Sequence, residues 1–577
     1  MLLIRKNCKK LKARNSTFFY KKNRRSSCYF IYSLLVLILL FLSSSGYAEA
    51  EPQPKFLIIH LDALSSPTFF QYMEEGHLPN LKAIFQDGDG HIIPYGLALF
   101  PGGTETTIPH LRKGVDNSAG GVGWRHYDPE KDKIMPEYVT FFDMFSHIPR
   151  RAKAGFIYGV PFLDIFNIFP LMNIPELLDT YNVLEFFWFA TDSLGHFFGE
   201  EQYLASFKRF DSYMGRLIKR LNMEEVNLII YSDHGMSFGR FIDPPQEEEI
   251  KRIVGDALRA YAHPVIFLKN PEEKYFLAKK IALETEIDFA FFKENTNRVV
   301  SYTIHGKIIF EGDSHGKIRY LYEGEDVFDY YNDGYRGEWL DANEWLSLTR
   351  ESNYPGVPPN IYNLLMNEKS GDIVIVINPP KIPVFELLFG INYDANHAGL
   401  TKNDLLVPIF LKGKELEHLY DTEEIWLHDL FNRIPTLDLK DNKPDREKHF
   451  FSFWGNLENG QYPGFELSLS PAYRWNVVLQ YDNELYNGRF EYDFYSSYVI
   501  RLWIGAGLEY QEKNYEPFLH TRLQMDFDRI RFNYGVQSHL FDLKSWEENK
   551  KELVFKVNNK LSFNWQMPNR IGFSVYW

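Results

Sequence analysis

Four stretches of this chain bring acids and imidazoles together at spacings that suit a metal ion. The apolar run Phe56–Leu61 ends on Asp62, and Val183–Ala190 leads into Asp192-Ser193-Leu194-Gly195-His196. Val226–Ser232 runs into Asp233-His234-Gly235-Met236, and His397 lies in Asp394-Ala395-Asn396-His397-Ala398-Gly399 shortly before the apolar run Leu405–Leu411. Asp192 and His196 stand four apart, so a helical turn there would put both on one face. Taken singly each stretch is weak, because Asp-x-x-x-His is a common helix-surface pair and an adjacent Asp-His can be a plain turn. At successive strand ends they predict a metal site of oxygen and nitrogen ligands, suited to Zn²⁺, with Mn²⁺ also fitting.

Such residues need a scaffold that delivers strand ends to one edge. Open α/β sheets do this, binding ligands beyond the carboxyl ends of their strands. From Lys55 to about Lys414 strand-like runs alternate with helical patterns, which predicts an α/β domain with a mainly parallel, doubly wound sheet. Helices are expected over Leu78–Gln86, Gln202–Leu221 and Glu247–Tyr261, the last after Asp243-Pro244-Pro245. Ile373–Ile377 and Leu405–Leu411 read as further buried strands. Short strand-like pieces near residues 292–348 predict a β-rich insertion over one rim of the site. The Phe-, Leu- and Ile-rich stretch Phe141–Phe187 reads either as a packed helix pair or as a lip for an apolar substrate or membrane.

The gross numbers set outer bounds. At 577 residues, two or more domains are expected. Residues 1–28 hold ten Lys or Arg and no acid, leaving 53 basic against 77 acidic residues in the remainder. That balance argues against a stable nucleic-acid partner. The basic leader, the apolar Tyr29–Leu42 and Ala48-Glu49-Ala50 read as a signal peptide over residues 1–50, with an uncleaved anchor as the alternative. Export to the periplasm or cell surface follows. Cys8 and Cys28, the only cysteines, both lie in this leader, so the mature chain would have no disulfide or thiolate ligand.

The catalytic region is expected to span residues 51–430, with a linker over 431–462. Beyond it, apolar residues alternate with mostly polar ones, as in Trp475, Val477, Leu479 and Tyr481, or Ile571, Phe573, Val575 and Trp577. Period-2 alternation over segments of about ten residues fits the wall of a transmembrane β-barrel, and ending on an aromatic residue fits an outer-membrane barrel's last strand. Seven or eight strands are expected over residues 463–577, with outer-membrane attachment. A soluble antiparallel sandwich is the alternative.

The order Asp62, a Thr-bearing glycine loop (Phe100–His110), Asp192-Ser-Leu-Gly-His196, Ser232-Asp233-His234-Gly235-Met236 and His397-Ala-Gly resembles the alkaline phosphatase superfamily. It is most similar to the type I phosphodiesterases and nucleotide pyrophosphatases, over roughly residues 55–415. The resemblance implies two divalent ions: Asp192, His196 and His397 would hold one, and Asp62, Asp233 and His234 the other. The second ion would also touch a Thr or Ser nucleophile that becomes phosphorylated. Two metals about 4 Å apart suit phosphoryl transfer, since they stabilise attacking and leaving oxygens together.

In that family the nucleophile stands ten residues before a helix-closing glycine. Counting back from Gly114 gives Thr104, a metal-touching nucleophile by this analogy, with Thr106 and Thr107 as competitors. The nucleotide pyrophosphatases typically carry Pro and a phosphate-contacting Asn two and three residues after the nucleophile; Thr106 and Thr107 stand there instead, which puts nucleotide specificity in doubt. Absence of cysteine at the nucleophile position speaks against a sulfatase. His60, His110 and Ser193 read as packing or orienting residues.

The expected function is thus an exported, metal-dependent phosphohydrolase acting through a phospho-threonine on a phosphate-ester small molecule or lipid. A diester is preferred, because no Arg is placed by motif to clamp a dianionic monoester. The alternatives are a transferase that moves a phospho-alcohol group onto lipid or glycan, and a non-catalytic outer-membrane binding protein.

Overall fold

The computed structural model describes residues 54–116, 118, 126–135, 155–160, 162–178, 182–383, 394–437 and 449–456, and beyond these the barrel strands given below with Met567. The segment read as a signal peptide, with Cys8 and Cys28, the first part of the Phe141–Phe187 stretch and most of the segment read as a linker lie outside the described residues.

The catalytic region is built on a seven-stranded sheet. In chain order its strands are β1 (Lys55–Leu61), β2 (His91–Leu97), β3 (Gly155–Tyr158), β4 (Val183–Trp188), β5 (Val226–Tyr231), β6 (Leu406–Lys412) and β7 (Glu424–Trp426). Across the sheet they run β7-β2-β6-β5-β1-β4-β3. The pairings β3–β4, β4–β1, β1–β5 and β2–β7 are parallel, whereas β6 is antiparallel to both neighbours. Strands β4, β5 and β6 are buried along their whole length, which explains why they read as unbroken apolar runs. Alternate side chains of β1 enter different cores: Leu57, Ile59 and Leu61 one, Phe56 and Ile58 the other. Both faces are covered, so the doubly wound reading holds.

Two helices matter for the site. Helix α1 (Thr104–Lys113) packs Ile108 and Leu111 into the core that takes Phe56 and Ile58, and closes on Gly114 at φ 65°. A Cβ on Gly114 would come within 2.2 Å of the Asn432 amide, so only glycine fits. Helix α2 (Ala190–Ile218) is interrupted at Gly199, whose φ of 74° and ψ of −173° are non-helical. Its first turns carry Asp192 and His196, and the remainder contains most of the expected helix over Gln202–Leu221.

The second sheet departs from expectation. Its seven antiparallel strands lie in the order Leu258–Ala262, Val265–Leu268, Ile373–Val376, Phe289–Asn295, Arg298–Thr303, Gly306–Gly312 and Ile318–Gly324. The β-rich part therefore begins well before residue 292, and Ile373–Val376 belongs here rather than in the parallel sheet. The helix expected over Glu247–Tyr261 stops at Val254, because Gly255 leaves helical backbone at φ 54° and Leu258 starts a strand. Phe289, Phe291 and Phe310 of this sheet share a core with Leu97, Leu99 and Phe100, the residues leading to α1.

The C-terminal region is a closed antiparallel barrel of ten strands, more than the seven or eight expected. They are β8 (Phe450–Asn456), β9 (Gly464–Ala472), β10 (Trp475–Asp482), β11 (Leu485–Ser496), β12 (Ile500–Gln511), β13 (Asn514–Phe527), β14 (Ile530–His539), β15 (Glu547–Asn558), β16 (Leu561–Gln566) and β17 (Arg570–Tyr576), with β17 pairing back onto β8. The first falls within the segment read as linker. The long run Leu553–Met567 is divided between β15 and β16.

Candidate metal centre and nucleophile

Strand direction explains why distant residues converge. Strands β5, β1 and β4 are adjacent and parallel, so Asp233, Asp62 and Asp192 leave neighbouring strands at one edge. Strand β6 runs the other way, which brings its N-terminal end to that edge and with it the preceding His397. Strand β2, antiparallel to β6, points its C-terminal end there too and delivers the loop to Thr104. One antiparallel strand thus lets residues before and after strands share a site.

All six sequence-derived ligand candidates come together. His196 Nε2 lies 3.1 Å from Asp192 Oδ1, and His397 Nε2 lies 3.8 Å from the same oxygen. His234 Nε2 is 3.5 Å from Asp62 Oδ1 and 3.5 Å from Asp233 Oδ2. Each imidazole is oriented through its other nitrogen: Nδ1 of His196 donates to Ala395 O (2.8 Å), of His234 to Gly235 O (2.8 Å) and of His397 to Gly102 O (2.6 Å). That tautomer leaves every Nε2 lone pair facing the acids, as metal-binding histidines are held.

The electrostatics call for cations. Asp62 and Asp233 are fully buried, and neither oxygen of either has a well-formed hydrogen-bond donor. Burying uncompensated carboxylates costs several kcal/mol each. Burial, then the charges of Asp233 and Asp192, push the Asp62 carboxyl well above the usual range. Asp192 and Asp233 are also pushed up by burial, but facing imidazoles outweigh this, led by His196 for Asp192 and His234 for Asp233, and hold both below it. Burial, then the neighbouring His234 and His196, lower His397 to about 3, so it is neutral and ready to donate. Three acids and three imidazoles without sulfur fit divalent ions such as Zn²⁺.

Thr104 opens α1 at the rim of this cluster, where its hydroxyl adds to the groups that hold the Asp233 carboxyl down. Gly103, extended at φ −174°, precedes it, and a Cβ on Gly102 would stand 3.2 Å from His234 Cβ. The backbone and its ligands approach closely here because the side chains are missing. Thr106 and Thr107 are buried within α1, and neither caps it, since the cap residue is Gly103.

Three further residues orient the cluster: His60, read from the sequence as packing or orienting, and Asn360 and Asp404, to which the sequence analysis gave no role. His60 is stacked between Phe187 (4.2 Å) and Tyr231 (5.0 Å) and puts Nε2 3.0 Å from Asp233 Oδ1. Its signal was the i, i+2 spacing to Asp62, which puts both on one face of an extended strand. Asn360 accepts from Phe100 N (2.7 Å) and donates to Ala98 O (3.1 Å), fixing the loop before Thr104. Asp404 accepts Gly235 N–H through its main chain (2.8 Å) and the Ser237 hydroxyl through its side chain (2.6 Å), while burial raises its carboxyl to about 6. No sequence motif marks Asn360 for this role.

Beside the cluster, Phe162, Leu163, Ile165, Phe169 and Phe198 are exposed, and Phe162 stacks edge-on to Phe197 at 5.4 Å. Leu171, Ile174 and Leu178 are core. The described part of the Phe-rich stretch thus places Leu171, Ile174 and Leu178 in the core and leaves Phe162, Leu163, Ile165 and Phe169 exposed.

Residues 103–288 match the family model of type I phosphodiesterase / nucleotide pyrophosphatase. The match bears out the resemblance and the reading of an enzyme, a phosphoric ester hydrolase. No curated protein matches the chain. Among solved structures, the chain is similar to murine ectonucleotide pyrophosphatase / phosphodiesterase 5, at 15% identity and TM-score 0.40, covering 67% of this chain and 96% of that one. It is also similar to wild-type alkaline phosphatase PafA, at 11% identity and TM-score 0.38 over 69% and 99%. Phosphonoacetate hydrolase from Sinorhizobium meliloti follows at 14% identity and TM-score 0.35 over 68% and 97%.

Proposed function

We propose that the chain is an exported, metal-dependent phosphohydrolase that acts through a phosphorylated Thr104, with a phosphodiester as preferred substrate. The observation that carries this reading is the position of Thr104, at the N-terminus of α1 directly after Gly102 and Gly103, which pack against His234 and His397. Asp192, His196 and His397 would hold one ion; Asp62, Asp233, His234 and the Thr104 oxygen would hold the other. When bound, such ions lower the pKa of an attached hydroxyl and neutralise charge on the phosphoryl oxygens.

The protein's own groups supply the rest. The Thr104 oxygen attacks phosphorus and displaces the leaving alcohol, and water then attacks the phospho-threonine to regenerate the hydroxyl. The N-terminal end of α1, where Thr104 stands, favours an anion through the helix dipole. Among the described residues Asp62, Asp192 and Asp233 pair with imidazoles, and the preference for a diester rests on the sequence, where no Arg is placed by motif to clamp a dianionic monoester. The apolar surface around Phe162 and Phe198 supports an ester with an apolar portion, a lipid included.

The barrel supports membrane attachment. Its outward positions carry large apolar side chains, and the chain from Leu437 to Phe450 can span at most roughly 45 Å, so the catalytic region would work near a bilayer surface at the outer membrane.

The test uses the full chain with an aryl phosphodiester and an aryl phosphomonoester. Thr104→Ala should retain its metal and lose turnover, and wild-type protein quenched during turnover should carry a phosphate on Thr104. Full activity in Thr104→Ala overturns the nucleophile. Metal without turnover on either ester, with activity appearing only when an acceptor alcohol is added, indicates the transferase instead.

A further inference from the structure

Outside the catalytic region, the densest set of charged side chains lies inside the barrel. Most strands alternate in what they present. On β11, Tyr486 and Phe490 face outward at 53% and 64% exposure, while Asn487, Arg489, Glu491 and Asp493 face inward and are buried. Elsewhere, Trp475, Leu479, Ile504, Leu508, Phe563 and Phe573 point out, and Glu466, Ser468, His520, Arg522, Asn564 and Ser574 point in. A water-soluble protein places these classes the other way round. Hydrocarbon outside the wall would account for the arrangement.

The inward groups are joined to one another. Arg489 Nε donates to Glu491 Oε1 at 2.7 Å, its Nη1 to Gln480 at 3.1 Å and its Nη2 to Glu466 at 3.4 Å. Arg522 Nη2 donates to the other oxygen of Glu491 at 2.7 Å, and the Arg522 Cζ lies 4.9 Å over the Trp503 ring. Two arginines thus face two glutamates from β9, β11 and β13, each separated from the next by one intervening strand. On the other side of the lumen, Glu552 accepts from Asn533 (2.8 Å) and Asn564 (3.1 Å), and Asn564 donates on to Ser574 (2.6 Å). Ser574 in turn bonds Ser452 at 2.5 Å across the β17–β8 seam.

Space for these long side chains is made by small ones. Strand β12 presents Gly505 and Gly507 toward the lumen, and a Cβ on Gly507 would stand 2.7 Å from Arg489 Cβ and 2.7 Å from the Phe518 ring. An eight-stranded barrel is already filled by its own side chains, and ten strands widen it only modestly. The charged groups, all with exposures of 5% or less, fill what remains.

We propose that the barrel is a solid anchor: its outer wall takes the hydrocarbon of a lipid bilayer, and its lumen is locked by the Arg489–Glu491–Arg522–Glu466 network so that no ion or solute passes. The inference rests on the membrane reading of the barrel given above and adds that the barrel conveys neither substrate nor product. Substrate and product must then stay on the side of the membrane where the catalytic region lies.

The experiment reconstitutes the full chain into phospholipid vesicles for flotation, then into planar bilayers for conductance. The expected result is co-flotation with the vesicles and a flat current trace. Stable single-channel steps, or swelling of the vesicles in small sugars, overturn the closed lumen while leaving the membrane reading intact. Failure to float overturns the membrane reading and this inference with it. The variant Arg489→Ala/Glu491→Ala/Arg522→Ala, which empties the network without altering the outer wall, should turn the flat trace into open steps. A heat-modifiable band in gel electrophoresis shows whether it has folded, and the wild-type trace decides the question if it has not. A folded variant that stays silent shows that the network is not what closes the lumen.

Discussion

His397 and Gly102 are joined by a 2.6 Å hydrogen bond from the imidazole Nδ1 to the glycine carbonyl, which ties a candidate metal ligand to the loop that positions Thr104. Gly102 and Gly103 should respond differently to the same substitution. A Cβ on Gly102 meets His234 Cβ at 3.2 Å and Asp404 O at 3.4 Å, whereas one on Gly103 finds His397 Cε1 at an ordinary 3.7 Å. Overpacking costs roughly 1–3 kcal/mol, so Gly102→Ala should reduce both metal affinity and kcat/KM by about tenfold or more, as ~1.4 kcal/mol per tenfold implies. Gly103→Ala should hold its metal like wild type. Equal effects of the two variants in a metal titration would refute this account of the loop.

His60 offers a cleaner test of orientation. His60→Phe keeps a ring between Phe187 and Tyr231 but removes the Nε2 that faces Asp233 at 3.0 Å. Loss of such an orienting partner typically costs 10–100-fold in metal affinity or activity. We expect that loss with a melting temperature close to wild type in the metal-free protein. A normal affinity would show that Asp233 needs no help from His60.

Metal uptake should release protons. In the metal-free protein Asp62 is raised by burial and by two neighbouring carboxylates, and His196 is raised because Asp192 outweighs the opposing effect of burial. For a raised group the stabilising contribution is complete below its unfolded value and is lost as pH rises through the folded one. The melting temperature of stripped protein should therefore fall as pH rises through the folded values of these groups, above 3.8 for Asp62 and above 6.5 for His196. Metal needs both groups deprotonated, so affinity should climb about tenfold per pH unit for each proton displaced. Calorimetric titrations in buffers of different ionisation enthalpy count those protons. A buffer-independent heat would mean that the ligands are already deprotonated.

The ligand cluster was legible because its members close unbroken apolar runs, and buried parallel strands produce such runs. His397 fitted less directly: it precedes its strand, and only the reversed direction of β6 brings it to the same edge. The division between sheets was not legible. Ile373–Val376 is as apolar as β5 yet lies in the antiparallel sheet, since burial on both faces erases the alternation that would distinguish them. In the barrel the strand count was low because Phe450-Phe451-Ser452-Phe453-Trp454 puts aromatics on both faces, hiding β8. The inward positions announced a lumen as polar residues, but their pairing depends on register. Arg489 and Glu466 lie on strands separated by β10, a relation that no local spacing carries.

Arg112 and Glu185 make the last prediction, because they fasten the nucleophile helix to the sheet. The Arg112 Nη2 lies 2.8 Å from both oxygens of Glu185, and both side chains are almost wholly buried. Arg112 stands on α1 two turns beyond Thr104, and Glu185 on β4, the strand that leads to Asp192. One contact thus spans the elements that carry the proposed nucleophile and one metal ligand. Removing one partner of a buried pair leaves an uncompensated charge and costs about 3–5 kcal/mol. Arg112→Met should therefore lower stability by about that much and reduce turnover, as α1 is no longer held against β4. The double variant Arg112→Met/Glu185→Leu replaces the pair by apolar groups of similar size, and such replacements are often neutral or stabilising. It should recover most of the stability in a denaturant titration. If turnover returns with stability, the pair serves only as a fastening; if stability returns and turnover does not, the pair also sets where α1 presents Thr104. A single variant as stable as wild type would show that the buried contact does not bind α1 to the sheet.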